Sequence, residues 1–242
     1  MINYTEKNGV VRIELNRPEK RNALNVQLLE ELSAAVEKAA KARVVVFSGA
    51  GKVFCSGMDL EETHYQKLPL MISEVFQLIY KLPCITIAAV QGAALAGGAG
   101  LMGACDIVIA ETNTKFGFPE VKRGLVPAQV MTFLSRQIGQ RNLRELVLLG
   151  EMIDAPTAKE YGLINQITSD LDAEVEKIIQ NALEAAPHAV MQTKALIDSS
   201  YPTRLEEDLA HAVNLFQHLC STKETQEGMS AFKEKRKPQW LK

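Results

Sequence analysis

The chain has 242 residues, 47% hydrophobic and 23% charged, the balance of a globular protein long enough for one large core or a core with an appendage. A formal net charge of −2 offers no electrostatic grip on nucleic acid or an anionic membrane. Cys55, Cys84, Cys105 and Cys220 are widely spaced without a C-x-x-C pair, so free thiols in a reducing compartment are expected. His64, His188, His211 and His218 lack metal-ligand spacing.

The opening segment MINYTEKNGVVRIELNRP is polar and shows no leader pattern, which makes the cytoplasm the expected location. Val11, Ile13 and Leu15 alternate with Arg12 and Glu14, the period of a half-buried strand, and NRPEKRN then turns the chain. Leu28, Leu29, Leu32, Val36 and Ala39 recur at helical spacing over 24–39. Residues 43–47 read as a buried strand, 49–52 as a loop, and 69–82 as a second amphipathic helix.

Residues 82–105, LPCITIAAVQGAALAGGAGLMGAC, carry no charge. The length would suit a membrane span, but Gly92, Gly97, Gly98, Gly100 and Gly103, with Pro83 and Gln91, break the run. The better account is a buried strand over 84–90, a turn, and a glycine-lined helix, followed by another strand over 106–110. Gly98, Gly100 and Gly103 match G-x-G-x-x-G, yet they stand eight or more residues past Val90 instead of directly after the strand. No strand ending in an acidic residue follows at about twenty residues, so an NAD-dependent oxidoreductase is disfavoured.

Beyond Pro127 the pattern turns helical. Pro127 and Gly139 are expected to open and cap one helix, 143–149 continues as helix, Asp154 caps the next, and 163–167 reads as a short strand. From Leu171 onward only helices are expected, with Thr203 and Glu206 forming a capping box. Strands and helices repeating at about forty residues give an α/β fold of stacked units.

Three stretches could carry chemistry. Ser56 in FCSGMD is no nucleophile elbow, because Phe54 stands where glycine is required, and Cys55 has no evident base. In FCSGMD and in ALAGGAG at 94–100, small residues precede helix starts, where free N–H groups favour developing negative charge, as on a thioester carbonyl becoming an enolate. Close helix packing explains the same glycines equally well. Glu120, set among Phe116, Phe118, Pro119 and Val121, could have its pKa raised by desolvation for general acid or base work, although taken alone it is more often a solvated residue paired with Lys122 or Arg123.

Taken together, NRPEKRNALN at 16–25, FCSGMDL at 54–60, AAVQGAALAGGAGLMGACDIVIA at 88–110, KFGFPEVKRGLVPA at 115–128, DAPTAKEYGLIN at 154–165 and AFKEKRKPQW at 231–240 resemble the crotonase (enoyl-CoA hydratase/isomerase) superfamily. The resemblance covers essentially the whole chain. It implies a spiral of ββα units over 1–190 holding an acyl-CoA site, and a helical region over 191–242 that covers the CoA and assembles a homotrimer or dimer of trimers. It also implies Met58 and Gly97 as N–H donors to the thioester oxygen, with Met58, Asp59, Leu60 and Gly97 beside the acyl-CoA and Glu120 as acid/base.

Coenzyme A enters as part of the substrate and no separate cofactor is implied. Lys20, Arg21, Lys233, Lys235 and Arg236 are candidates for its phosphates. The family's hydratases often carry two glutamates, and the first falls on Gly100, which has no side chain. The finer resemblance of GLMGACD and FGFPEVKRGLVPA to bacterial methylglutaconyl-CoA-type hydratases leans the reading to an enoyl-CoA hydratase working with one glutamate. A Δ3-Δ2 enoyl-CoA isomerase and a non-catalytic acyl-CoA binder are the alternatives.

Overall fold

The first strand is one the sequence pattern conceals. In the computed structural model, which describes residues 1–63 and 67–241 and so leaves His64 outside the described residues, β1 (Ile2–Lys7) pairs antiparallel with β2 (Val10–Leu15). β1 is mostly exposed and polar, so it shows no hydrophobic alternation. The signal lies in the turn. Asn8 and Gly9 both take positive φ, 52° and 79°, the two-residue connection whose twist matches paired strands.

The chain continues through α1 (Val26–Lys38), β3 (Val44–Gly49), α2 (Leu68–Tyr80), β4 (Ile85–Val90), β5 (Ala93–Leu95) and α3 (Gly97–Gly103). Then come β6 (Ile107–Glu111), β7 (Lys115–Gly117), a 3-10 turn over Pro119–Arg123, α4 (Ala128–Gln137), α5 (Gln140–Leu149), β8 (Met152–Asp154), α6 (Ala155–Glu160) and β9 (Gln166–Thr168). The remainder is helical: α7 (Leu171–Glu184), α8 (Pro187–Ser199), α9 (Leu205–Cys220), α10 (Lys223–Lys233) and a closing turn over Gln239–Leu241. Residue 190 falls inside α8.

One sheet runs β1-β2-β3-β4-β6-β9, parallel from β2 onward, and a smaller one runs β5-β7-β8. The period of two in β3 divides the core. Val45 and Phe47 face the large cluster with α1, α2 and α3, whereas Val44 and Val46 face α7 through Val175, Ile179 and Ala182. Strands buried on both faces read as continuous apolar runs, which is why β3 and β4 were legible. The three-residue strands β5, β7 and β8 are too short to show any period.

Several boundaries differ from expectation. Gly139 does not cap α4: it sits extended (φ −62°, ψ 143°) as the N-cap of α5, because Ile138 has already left the helix to bury itself in the core. The Thr203/Glu206 capping box is absent. Arg204 is the N-cap of α9, Thr203 Oγ1 donates to Asp208 Oδ2 at 2.8 Å, and Glu206 is drawn away to Lys81. The strand expected over 163–167 is displaced to Gln166–Thr168.

Asn22 ties the first turn to the loop that follows β3. It is fully buried, its Nδ2 donates to Ala50 O at 3.0 Å and Val53 O at 2.8 Å, and its Oδ1 accepts from Arg17 N at 2.9 Å. Its φ of +54° is one that asparagine tolerates better than most residues. Asn22→Ala should therefore lower the unfolding free energy by about 2–4 kcal/mol, since three polar groups lose their partner inside the protein; denaturant titration checks this, and a loss under 0.5 kcal/mol would show that the loop is held by other contacts.

Candidate active site

Main chain builds one side of the site. Phe54 N donates to Gln91 O at 3.0 Å, and Cys55 joins Ala94 through a parallel bridge, so residues 54–58 run alongside the start of the 93–98 stretch. Met58 makes a second bridge, with Leu24, in which Leu24 N donates to Gly57 O and Asp59 N donates to Leu24 O. Strand alternation then turns the Met58 N–H the other way. Gly97 is the first residue of α3, so its N–H has no partner within the helix.

These two N–H groups are close. A Cβ built on Gly97 would lie 3.6 Å from Met58 N, and one built on Gly57 would lie 3.2 Å from Gly97 N. Gly98 is required for the approach, because a Cβ there would collide with the Cys55 carbonyl. Ala96 absorbs the strain. It is a non-glycine residue at φ 50°, ψ −122°, held by its N–H donating to Gly117 O at 2.9 Å across the small sheet.

Glu120 comes from the 3-10 turn after β7. Phe116 and Phe118 anchor that strand in the core with no exposed surface, and Glu120, just beyond, is 7% exposed. Its Oε2 has no hydrogen-bond partner. Burial pushes the carboxyl up to about 7, with a backbone hydrogen bond and the Arg123 charge pulling partly back. The arrangement differs from a solvated loop ion pair with Lys122 or Arg123. Glu120, Met58, Leu60, Gly97, Gln129 and Val130 line one cavity of about 50 Å³.

Where the resemblance would put a second glutamate, the wall is closed. Gly100 lies in the middle of α3, and a Cβ there would meet the Phe76 ring at 2.5 Å and Val130 Cγ2 at 3.1 Å. Phe76 is fully buried and packs edge-on against Phe133. The space is filled by aromatic carbon.

The other candidates separate. Leu60 lines the cavity, but Asp59 turns its carboxylate to Arg17 Nη1 at 2.7 Å and so fastens the 54–60 loop to the first turn. Lys20 Nζ reaches Glu61 Oε2 at 2.8 Å, and Arg236 bonds Glu227 and Glu234. Arg21 lies near enough to Arg123 to disfavour its charge. Cys55 is buried with its thiol pushed up to about 12, a packing residue and no thiolate.

A roomier cavity of about 520 Å³ opens beside Tyr80, Arg136 and Lys194. There Arg136 is paired with Asp198 and Asp208, and Lys194 with Asp106. Among the described residues no cluster of three or more His, Cys, Asp or Glu could hold a metal, and no helix is long and apolar enough to cross a membrane.

Sequence reasoning passed over two residues of the site. Gln129, in the first turn of α4, is 6% exposed with Nε2 unpartnered. Phe76 carried only the general signal of an apolar position on α2.

Comparison with known proteins identifies the family. The model of the enoyl-CoA hydratase/isomerase family matches residues 5–242. An Arabidopsis thaliana protein named "Probable enoyl-CoA hydratase 2, mitochondrial" is 36% identical over 248 residues, covering 95% of this chain and 81% of that protein. A Rhizobium meliloti protein named "Probable enoyl-CoA hydratase" is 34% identical over 245 residues, covering 94% and 93%. The crystal structure of an enoyl-CoA hydratase from Mycobacterium avium superposes with a TM-score of 0.91 at 31% identity, covering 99% of this chain and 98% of that one.

Two outcomes follow from the site's physics. A carboxyl whose folded pKa is raised costs stability as pH rises from about 4.5 through about 7, because the folded state then has to ionise a buried group. Glu120→Gln should accordingly stabilise the fold at pH 8 by up to about 3 kcal/mol and by little at pH 4.5, as read from denaturation at both pH values. Separately, Gly100→Glu should lower the melting temperature, and by less when it is introduced into Phe76→Ala than into wild type, because the freed space admits the side chain; an equal loss in both backgrounds would mean that the ring is not the obstacle.

Proposed function

The chain belongs to the enoyl-CoA hydratase/isomerase family, and from that premise we propose that it adds water across the 2,3 double bond of an acyl-CoA thioester. The observation that carries the reading is Glu120, a buried carboxyl with a free oxygen and a pKa near neutrality, on the cavity that Met58 and Gly97 also line. A group that titrates near the working pH can both accept and return a proton.

In this mechanism the Met58 and Gly97 N–H groups hold the thioester oxygen. Water attacks C3 and gives a proton to the Glu120 carboxylate, while the π electrons move onto the thioester as an enolate. Glu120 then returns the proton to C2, and the net change is one water added. Two donors fixed by backbone packing need no reorganisation as charge develops, and losing one such donor typically costs about 3–4 kcal/mol of activation energy.

One observation favours a second reading. The wall at Gly100 is filled by Phe76, and a single base suffices for Δ3-Δ2 isomerisation, in which a proton leaves C2 and returns at C4.

The assembly proposed with this activity is a homotrimer or dimer of trimers. Its support is the apolar groove along α4, α5 and α9, which includes exposed Leu148 and Leu215. Residues 191–242 serve as the assembling and CoA-covering region in this reading, and Lys20 and Arg21 as contacts to the CoA phosphates.

The test incubates wild type and Glu120→Gln with 2-enoyl-CoA and 3-enoyl-CoA thioesters in deuterated, oxygen-18-labelled water and weighs the products. Labelled oxygen at C3, reduced at least 100-fold in the variant, is the expected result, with the wild-type rate rising through a pKa near 7 as Glu120 ionises. Double-bond migration without oxygen uptake would make the enzyme an isomerase. Binding without any Glu120-dependent product would leave an acyl-CoA binder.

A further inference from the structure

A lone carboxylate can take a proton from water, but one hydrogen bond does not fix where the water's lone pair points. The cavity holds a second uncommitted polar group. Gln129 is 94% buried by its 6% exposure, lines the same cavity as Glu120, and has an Nε2 with no partner among the described residues. Leaving a buried amide donor unpaired costs about 1–3 kcal/mol, so its position calls for an occupant.

The two orphaned atoms are complementary. Glu120 Oε2 is an acceptor when ionised, and Gln129 Nε2 is a donor. Each lacks a partner, so they are not satisfied by each other. A hydroxyl-bearing molecule answers both, donating its O–H to Glu120 and accepting from Gln129 through a lone pair. The roughly 50 Å³ of free space holds a few waters on the scale of about 10–15 Å³ each. Of the other polar groups on the lining, the Met58 and Gly97 N–H groups hold the thioester oxygen in the hydratase reading and Ser56 and Arg123 complete the polar part, while Leu60, Ile72, Val130 and Phe216 are apolar.

We propose that Gln129 is a positioning residue that holds the attacking water between its amide and the Glu120 carboxylate, serving where the wall at Gly100 has no side chain to offer. The proposal rests on the hydratase reading. In the step itself the water oxygen forms the bond to C3, its proton passes to Glu120, the C2–C3 π pair moves to the thioester, and Glu120 protonates C2. Gln129 neither gains nor loses a proton. Its backbone site is fixed independently of the water, because the Gln129 carbonyl accepts from Thr132 Oγ1 at 2.6 Å in the first turn of α4.

The experiment compares wild type, Gln129→Met, Gln129→Glu and Glu120→Gln for oxygen-18 uptake from labelled water into a short 2-enoyl-CoA, and for calorimetric affinity toward the matching saturated acyl-CoA. Methionine keeps the length and bulk and removes the amide. Its kcat should fall about 10- to 100-fold, the scale of misplacing a reactant by about an ångström, while saturated thioester affinity stays within about twofold of wild type. Glutamate keeps the reach and, beside Glu120, forms a carboxyl pair that shares one proton, so in its protonated form it donates to the water as the amide does and should recover part of the rate.

Wild-type kcat in Gln129→Met, with Glu120→Gln inactive, overturns the water-holding role and leaves the hydratase intact. A loss of saturated thioester affinity in proportion to kcat overturns it in favour of a packing role, and so does a glutamate variant no faster than the methionine one. Wild type that takes up no labelled oxygen overturns both the role and the hydratase reading.

Discussion

The close approach of two stretches of main chain, residues 54–58 and 93–98, is the contact on which the site depends. Glycine makes it possible at Gly57 and Gly98, where a Cβ would press on neighbouring backbone. Packing holds it, since the segments sit on β4 and α3 inside the largest core cluster. The consequence is geometric: the Met58 and Gly97 N–H groups lie close together, on residues that line one cavity. Fixed dipoles of this kind stabilise developing charge because they were oriented during folding.

Several buried groups secure that approach, an asparagine and an ion pair outside the cavity and Ala96 on its lining. Asn22 binds the first turn to the loop after β3, the Arg17–Asp59 pair holds the far end of the 54–60 segment, and Ala96 is kept at a strained φ by the small sheet. None of them lines the cavity as a reactive group. They spend stability on geometry, as buried hydrogen bonds and ion pairs often do.

Glu120 and Gln129 show the opposite economy. Both are buried with polar atoms left unsatisfied, and the fold tolerates the expense only because the surrounding aromatic and aliphatic core is large. Raising the Glu120 pKa toward neutrality is the same physical fact as destabilising the folded state above that pH. Phe76 fills the space beside Gly100, where a Cβ would meet its ring.

Much of this was written locally. The strands β3 and β4 showed as apolar runs, α1 and α2 as amphipathic spacing, and the motifs around 54–60, 88–110 and 115–128 carried the family resemblance with Met58, Gly97 and Glu120. Other parts left no local trace. β1 is polar and announced only by Asn8-Gly9, β5, β7 and β8 are too short for a period, and the Thr203 cap lost its glutamate to Lys81, far away in sequence. Sequence by itself determined the α/β class, the family and the residue types brought to the site, because those follow from periodicity and from motif order along one chain. Only the tertiary structure decided that Glu120 is buried and unpaired, that Phe76 fills the wall at Gly100, and that Gln129 shares the cavity, because burial and orphaned hydrogen bonds depend on which distant segments pack together.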